Sequence, residues 1–204
     1  MTNFKYFERP DKLTGFIDEE TTCDICKEIK PCFDAETFYG ADSISAICPE
    51  CLAGGALYSK DIFTCEGDSK ALGKQIKSLN PAMPDEAVEQ LVRQKTAELE
   101  KTMPHLITWQ DWRWPCADGD YCTFIGFGSK PLYNRLAKNL DGLECFKNSI
   151  YYTIKDGTDP DQLWADAIPD KEIPDYAASS VFLTLFYVFK SQHSNDIITI
   201  WDCV

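Results

Sequence analysis

Three features of the chain together predict an α+β fold. Two Cys-x-x-Cys pairs stand near the N-terminus, Cys23-Asp24-Ile25-Cys26 and Cys48-Pro49-Glu50-Cys51, with 21 residues between them. Val88, Leu91, Val92, Lys95 and Leu99 recur at helical spacing behind Pro84-Asp85. Near the C-terminus a nine-residue apolar run, 181–189, meets a polar turn and then a second apolar run, Ile197 to Trp201. The expected architecture is an N-terminal treble-clef-like zinc finger packed on a mixed α/β domain that ends in a β-hairpin.

The cysteine pairs carry the strongest signal. A Cys-x-x-Cys knuckle points both sulfurs at one cation, and two knuckles complete a tetrahedron with Zn–S distances of about 2.3 Å. Cys23, Cys26, Cys48 and Cys51 are therefore the expected ligands of one zinc ion. Four thiolates leave no open position for water or substrate, so the expected role of the ion is structural. The intervening segment is long enough for a β-hairpin. Leu52 to Tyr58 reads as a short helix, weakened by Gly54 and Gly55. Cys32 and Cys65 flank the quartet and read as small apolar residues.

The remaining elements follow in order. Residues 1–20 read as an extended segment anchored by Phe4, Tyr6 and Phe7, and residues 61–82 as a polar connection. A helix is expected from Pro84 to about Thr102, with Asp85 as its cap, ended by Pro104. Trp112 and Trp114, at alternate positions, are expected on one strand face, filling core. Tyr121 to Gly128 reads as a strand, Pro131 to Asn139 as a short helix, and Asp159-Pro160 as a cap and first position of another. The run 181–189 has the pattern of a strand covered on both faces. Segments 1–60, 61–104 and 105–204 are the expected units: the finger, a connection with a helix, and the mixed domain.

Composition narrows the function. The chain has 204 residues, a net charge of −13, 44% hydrophobic residues and 13% aromatic residues, which describes a globular acidic protein. No apolar run is long enough to span a bilayer as a helix, and the N-terminus carries no signal-peptide pattern, so a cytoplasmic location is expected. Ten cysteines in a reducing compartment favour metal binding over a disulfide framework. Only Lys27 and Lys30 lie between Cys23 and Cys51, with no arginine, which argues against nucleic acid as a partner.

Several motifs stand in order along the chain. They are the opening Phe4-Lys5-Tyr6-Phe7-Glu8-Arg9-Pro10-Asp11 with Thr14-Gly15, and the first knuckle with Phe38-Tyr39-Gly40. Ile47-Cys48-Pro49-Glu50-Cys51-Leu52-Ala53 follows, then Trp109-Gln110, Trp114, Cys116, Cys122, Phe124 and Gly126, and a C-terminal block from Leu185 to Asp202. Together these motifs resemble the CbrC family, whose C-terminal block carries another Cys-x-x-Cys; the aligned positions here are Val188 and Ser191. The resemblance therefore implies a degenerate second motif, which leaves Cys116, Cys122, His193 and Cys203 short of a complete metal site. It also implies a link to bacterial tolerance of colicins, and to toxins and their immunity proteins.

No catalytic constellation emerges from the residues. The two histidines, His105 and His193, lack a base-and-orienter pattern, and Gly126-Phe127-Gly128 lacks the rest of a phosphate loop. The expected function is that of a non-enzymatic immunity protein, a zinc-binding toxin inhibitor acting by protein–protein interaction. Its expected partner is a basic protein toxin domain. Charge beside aromatics marks Asp118, Asp120 and Tyr121, and Asp170, Glu172, Asp175 and Tyr176, as the expected partner-binding residues. Two alternatives stay open: an enzyme acting on the cell envelope or on small molecules to confer colicin tolerance, and a zinc-ribbon regulator.

Overall fold

The computed structural model describes residues 2–138, 141–152 and 158–203. Phe4, Tyr6 and Phe7 are buried, as their spacing in the opening segment requires. A short helix, α1 (Pro10–Leu13), precedes strand β1 (Phe16–Thr22). β1 pairs antiparallel with β2 (Ile29–Asp34), Phe16 opposite Phe33 and Thr22 opposite Ile29, so the first cysteine knuckle forms the bend between them. β3 (Tyr39–Gly40) follows, then β4 (Ala46–Ile47), which adds to β2 with Ile47 opposite Phe33.

Helix α2 (Pro49–Ala53) stops at Gly54-Gly55, where Gly55 adopts φ 78°, and the chain resumes as a 3-10 turn over Ala56–Ser59. The single helix expected over 52–58 is thus two pieces, because a left-handed residue cannot continue an α-helix. β5 (Ile62–Phe63) pairs with β3.

The expected connection over 61–82 is instead largely helix α3 (Ser69–Leu79). The Asp68 carboxylate accepts from Ala71 N at 3.0 Å, and Leu72 and Ile76 bury one turn apart. α3 packs on α4 (Asp85–Thr102), which spans the expected range. Asp85 is not its cap. Pro84 holds that position, and Asp85 sits in the first turn, 2.7 Å from Lys77 Nζ.

Residues 104–115 form no strand. One bridge between Trp114 and Gly67 ties this stretch to the fold. Trp114 is core all the same, and Trp112 and Trp114 both meet Phe189, at ring-centroid distances of 5.9 and 5.1 Å. β6 (Cys116–Ala117) and β7 (Asp120–Tyr121) make a tight hairpin turned by Asp118 and Gly119, both at positive φ.

β8 (Thr123–Phe127) leads to α5 (Lys130–Leu136) and α6 (Gly142–Ser149). The helix expected over 131–139 corresponds to α5, and its expected end at Asn139 lies outside the described residues. α6 is a further helix, with the Asp141 carboxylate accepting from Glu144 N at 2.8 Å. In α7 (Pro160–Asp166) Asp159 caps and Pro160 opens the helix, as its dipeptide predicts. α8 (Tyr176–Ser179) precedes the last two strands, β9 (Thr184–Lys190) and β10 (Ile197–Cys203).

β9 is the centre of a three-stranded antiparallel sheet, β10-β9-β8. The N-terminal segment extends that sheet: Phe124 N donates to Tyr6 O at 2.8 Å, and Glu8 N to Phe124 O at 2.9 Å. Alternate residues of β9 serve different cores. Leu185, Tyr187 and Phe189 join the larger one, and Phe186 and Val188 join a smaller one with Tyr133, Phe146 and Ile168. A strand covered on both faces explains its unbroken apolar sequence. The strand begins only at Thr184, whose partner Cys203 is the last rung of the ladder. Val181 and Leu183, expected inside it, are 76% and 77% exposed.

The larger core takes Phe4, Leu52 and Leu57 from residues 1–60, Leu72 and Leu99 from 61–104, and Trp114, Phe124 and Tyr187 from the remainder. The cysteine-bearing module shares its interior with the rest of the chain.

Candidate metal centre

The bend between β1 and β2 and the start of α2 bring four sulfurs together. The Sγ atoms of Cys23, Cys26, Cys48 and Cys51 all lie within 4.8 Å of one another. Cys26 and Cys48 are separated by 3.9 Å. A tetrahedral ion bound at about 2.3 Å by each thiolate needs sulfurs about 3.8 Å apart. All four are free thiols. The donor set fits a tetrahedral metal ion with no position left open.

Local backbone chemistry builds each half. In the first knuckle Lys27 N donates to Cys23 O at 2.9 Å, and Lys27 adopts φ 63° to close the bend. The Asp24 carboxylate accepts from Ser45 N at 2.7 Å and Ala46 N at 3.2 Å, which clamps the segment entering the second knuckle onto the first. Those two N–H groups hold the Asp24 carboxyl below the usual carboxylate range. Cys48 caps α2, with Leu52 N donating to Cys48 O at 3.0 Å, and Cys51 lies within its first turn.

The electrostatics favour an anion at the deepest sulfur. Burial pushes the Cys23 thiol up, but N–H donors from Cys26, Cys48 and Ile25 outweigh it and bring it down to about 6. One of these, Cys48 N, donates to Cys23 Sγ at 3.3 Å. Burial raises Cys48 and Cys51. A divalent cation would draw the remaining protons off these thiols. Lys30, 2.5 Å from Glu28 and 3.8 Å from Glu50, adds positive charge near Cys48 and Cys26. It partly offsets the two negative charges that four thiolates leave around a divalent ion. Neither the Asp24 clamp nor the position of Lys30 follows from cysteine spacing.

Cys32 is buried beside this cluster, raised to about 11 first by burial and then by its sulfur neighbours. Among the described residues, no other group of three or more metal-ligating side chains converges this closely. Cys116 lies 3.5 Å from the Tyr151 hydroxyl, Cys122 is buried, and Cys203 is exposed beside Thr184. Val188 belongs to the smaller core. Ser191 Oγ donates to Asp118 Oδ2 at 2.6 Å and accepts from His193 N at 3.1 Å.

The expected partner-binding residues separate into two sets. Asp120 and Tyr121 are buried, so neither presents a surface to a partner. Asp120 is enclosed by Lys95 at 2.7 Å, Lys5 at 3.5 Å and the Tyr6 hydroxyl at 3.0 Å, while the Tyr121 hydroxyl meets Thr96 Oγ1 at 2.8 Å. Charge beside an aromatic marked them as exposed; pairing with α4 takes them inside instead. Asp118 is exposed at the β6–β7 turn. Asp170 is 83% exposed and pairs with Lys130 at 2.7 Å, and Glu172 pairs with Arg135. Asp175 caps α8 by accepting from Ala178 N at 2.8 Å, and Tyr176 is half-buried.

Fold and site together define an α+β protein with a cluster of four cysteines near its N-terminus that could hold a metal ion. No helix among the described residues is long and apolar enough to cross a membrane. Residues 1–162 match the model of an uncharacterised protein family, UPF0167. The chain belongs to this family, which is the CbrC family its motifs resemble. No solved structure matches the chain.

Proposed function

We propose that this chain is a zinc-stabilised acidic binding protein that neutralises a basic bacterial toxin domain by direct contact, as an immunity protein. The observation that carries this reading is the excess of 33 Asp and Glu over 20 Lys and Arg, on a chain whose four converging cysteines would leave a bound ion no open position for substrate. Zinc is the ion that best suits four thiolates in a tetrahedron. The knuckle, the paired strands and the helix carrying the second cysteine pair correspond to a treble-clef finger. Its free thiols suit the reducing bacterial cytoplasm.

An acidic surface steers a basic partner and disfavours nucleic acid. Asp118, Asp170, Glu172, Asp175 and Tyr176 are the surface positions proposed to meet the partner. The pairs of Asp170 with Lys130 and Glu172 with Arg135 are no obstacle, since exposed ion pairs contribute only about 0–1 kcal/mol and a cationic partner can replace them. Co-expression with a toxin encoded beside this chain tests the reading. Cells should survive only when this chain is present, and the two proteins should co-purify. Protection without a physical complex would overturn direct binding in favour of an enzymatic or envelope-modifying role.

A further inference from the structure

A groove of about 470 Å³ opens between the β3–β5 pair and the irregular stretch 105–114, away from the cysteine cluster. Its volume falls in the range of small-molecule sites, about 300–1,000 Å³. Tyr39 and Phe63 line it as a stacked pair, with ring centroids 5.4 Å apart and planes 25° apart. Trp112 and Trp114 also contribute to the lining. Both indole N–H groups are turned to the protein: Trp114 Nε1 donates to Cys122 O at 2.8 Å, and Trp112 Nε1 to Asp202 Oδ2 at 3.4 Å. Trp114 is buried beneath the groove, so it is the partly exposed Trp112 that offers it carbon and π surface.

His105 supplies the polar contact. It is only 7% exposed, yet it lines the groove. Its Nδ1 lies 2.7 Å from the backbone carbonyl oxygen of Thr64. A carbonyl only accepts, so Nδ1 carries the proton and Nε2 holds a lone pair. Among the described residues no enclosed side-chain nitrogen or oxygen lacks a partner. Nε2 has no protein partner among the described residues and is therefore not fully enclosed, and His105 lines the groove. Burial keeps this imidazole below its usual range, against the Thr64 carbonyl and Asp34, which both act to raise it. The charged lining residues are Glu66, Asp111 and Arg113, and Arg113 Nε lies 3.8 Å from Glu66. The lining thus carries one negative charge in excess and disfavours anions.

We propose that this groove binds a small planar heteroaromatic molecule, neutral or cationic, that carries an N–H donor. The ring lies against the aromatic walls, its N–H donates to His105 Nε2, and positive charge on it is met by Asp111 and by the face of Trp112. The inference stands apart from the toxin-binding reading, since it uses none of those surface residues.

The test uses the full-length protein, 2-aminobenzimidazole as probe and naphthalene-2-carboxylate as anionic comparator, followed by ¹H–¹⁵N spectra. 2-Aminobenzimidazole should shift the indole N–H signals of Trp112 and Trp114 saturably, and the carboxylate should not. His105→Asn keeps a donor for the Thr64 carbonyl but, being shorter, leaves no acceptor at the Nε2 position, and should weaken binding about fivefold. Asp111→Asn, at an exposed position, should weaken the cationic probe while leaving the thermal midpoint unchanged. If His105→Asn fails to fold, the wild-type imidazole decides: its ¹⁵N signals should show the Nδ1–H tautomer, with Nε2 moving as probe is added. Absence of a saturable shift at the two tryptophans, equal affinity for the carboxylate, or an Nε2 signal indifferent to the probe would overturn the proposal.

Discussion

Lys95 of α4 and Asp120 of the β6–β7 hairpin form an ion pair at 2.7 Å, with the Asp120 side chain only 6% exposed. Lys5 and Tyr6 reach the same carboxylate from the N-terminal segment, at 3.5 and 3.0 Å. One buried charge thus ties three parts of the chain that are remote in sequence.

Burial pushes the Asp120 carboxyl up, but Lys95, Lys5 and the Tyr6 hydroxyl more than offset it and hold it below the usual carboxylate range. A depressed folded value means stability that is present above the unfolded value of about 3.9 and is lost as pH falls through the folded one. Lys95→Met should cost about 2–4 kcal/mol at neutral pH, because it strands a buried carboxylate. Urea unfolding at pH 7 measures this. Asp120→Asn should flatten the acid limb of the stability curve, and an unchanged limb would show that the pair is not the cause.

Asp202 has the opposite sign. Burial raises its carboxyl, against donors from Trp109 N, Tyr187 and Trp112. Its oxygens accept from Trp109 N at 3.0 Å and from the Tyr187 hydroxyl at 3.1 Å, which fastens the stretch carrying three tryptophans to β10. A raised folded value means that the folded state binds more protons, so this group's contribution to stability falls as pH rises above about 3.9. Asp202→Asn keeps an acceptor for those donors without the charge. The variant should lose less stability than wild type between pH 4 and pH 7, as followed by thermal unfolding across that range.

Purified protein should contain close to one equivalent of zinc by elemental analysis. Cys26→Ser should lose it, and the thermal midpoint should fall by at least about 10 °C, because metal binding contributes directly to folding free energy. Since the module shares its core with β8 and β9, the loss should be global. A variant that loses metal without change in the unfolding midpoint would refute a structural role.

Within the segment 181–189, position decides the cost of substitution. Phe186→Ala empties part of the smaller core and should cost about 3–5 kcal/mol. Val181→Ser and Leu183→Ser, on exposed side chains, should each stay within about 0.5 kcal/mol. Denaturant midpoints of the three variants test the strand boundary directly.

Where local pattern carries the information, the chain alone determined the outcome. Helix α4 follows from its periodicity, the Asp159-Pro160 start of α7 from its capping chemistry, the hairpin partners of the C-terminal runs from their alternation with a polar turn, and the convergence of four cysteines from two cysteine spacings. The signal for α3, Asp68 followed by Leu72 and Ile76, also stands in the sequence, but its lysines and Gly73 give it the polar appearance of the connection expected there. Contacts between distant segments were not legible. Asp120 and Tyr121 look like surface residues until α4 supplies Lys95 and Thr96. His105 looks unremarkable until Thr64 fixes its tautomer and Tyr39, Phe63 and Trp112 close a groove around it. Burial, protonation and ion pairing depend on which groups converge in space, and only the tertiary structure sets that convergence.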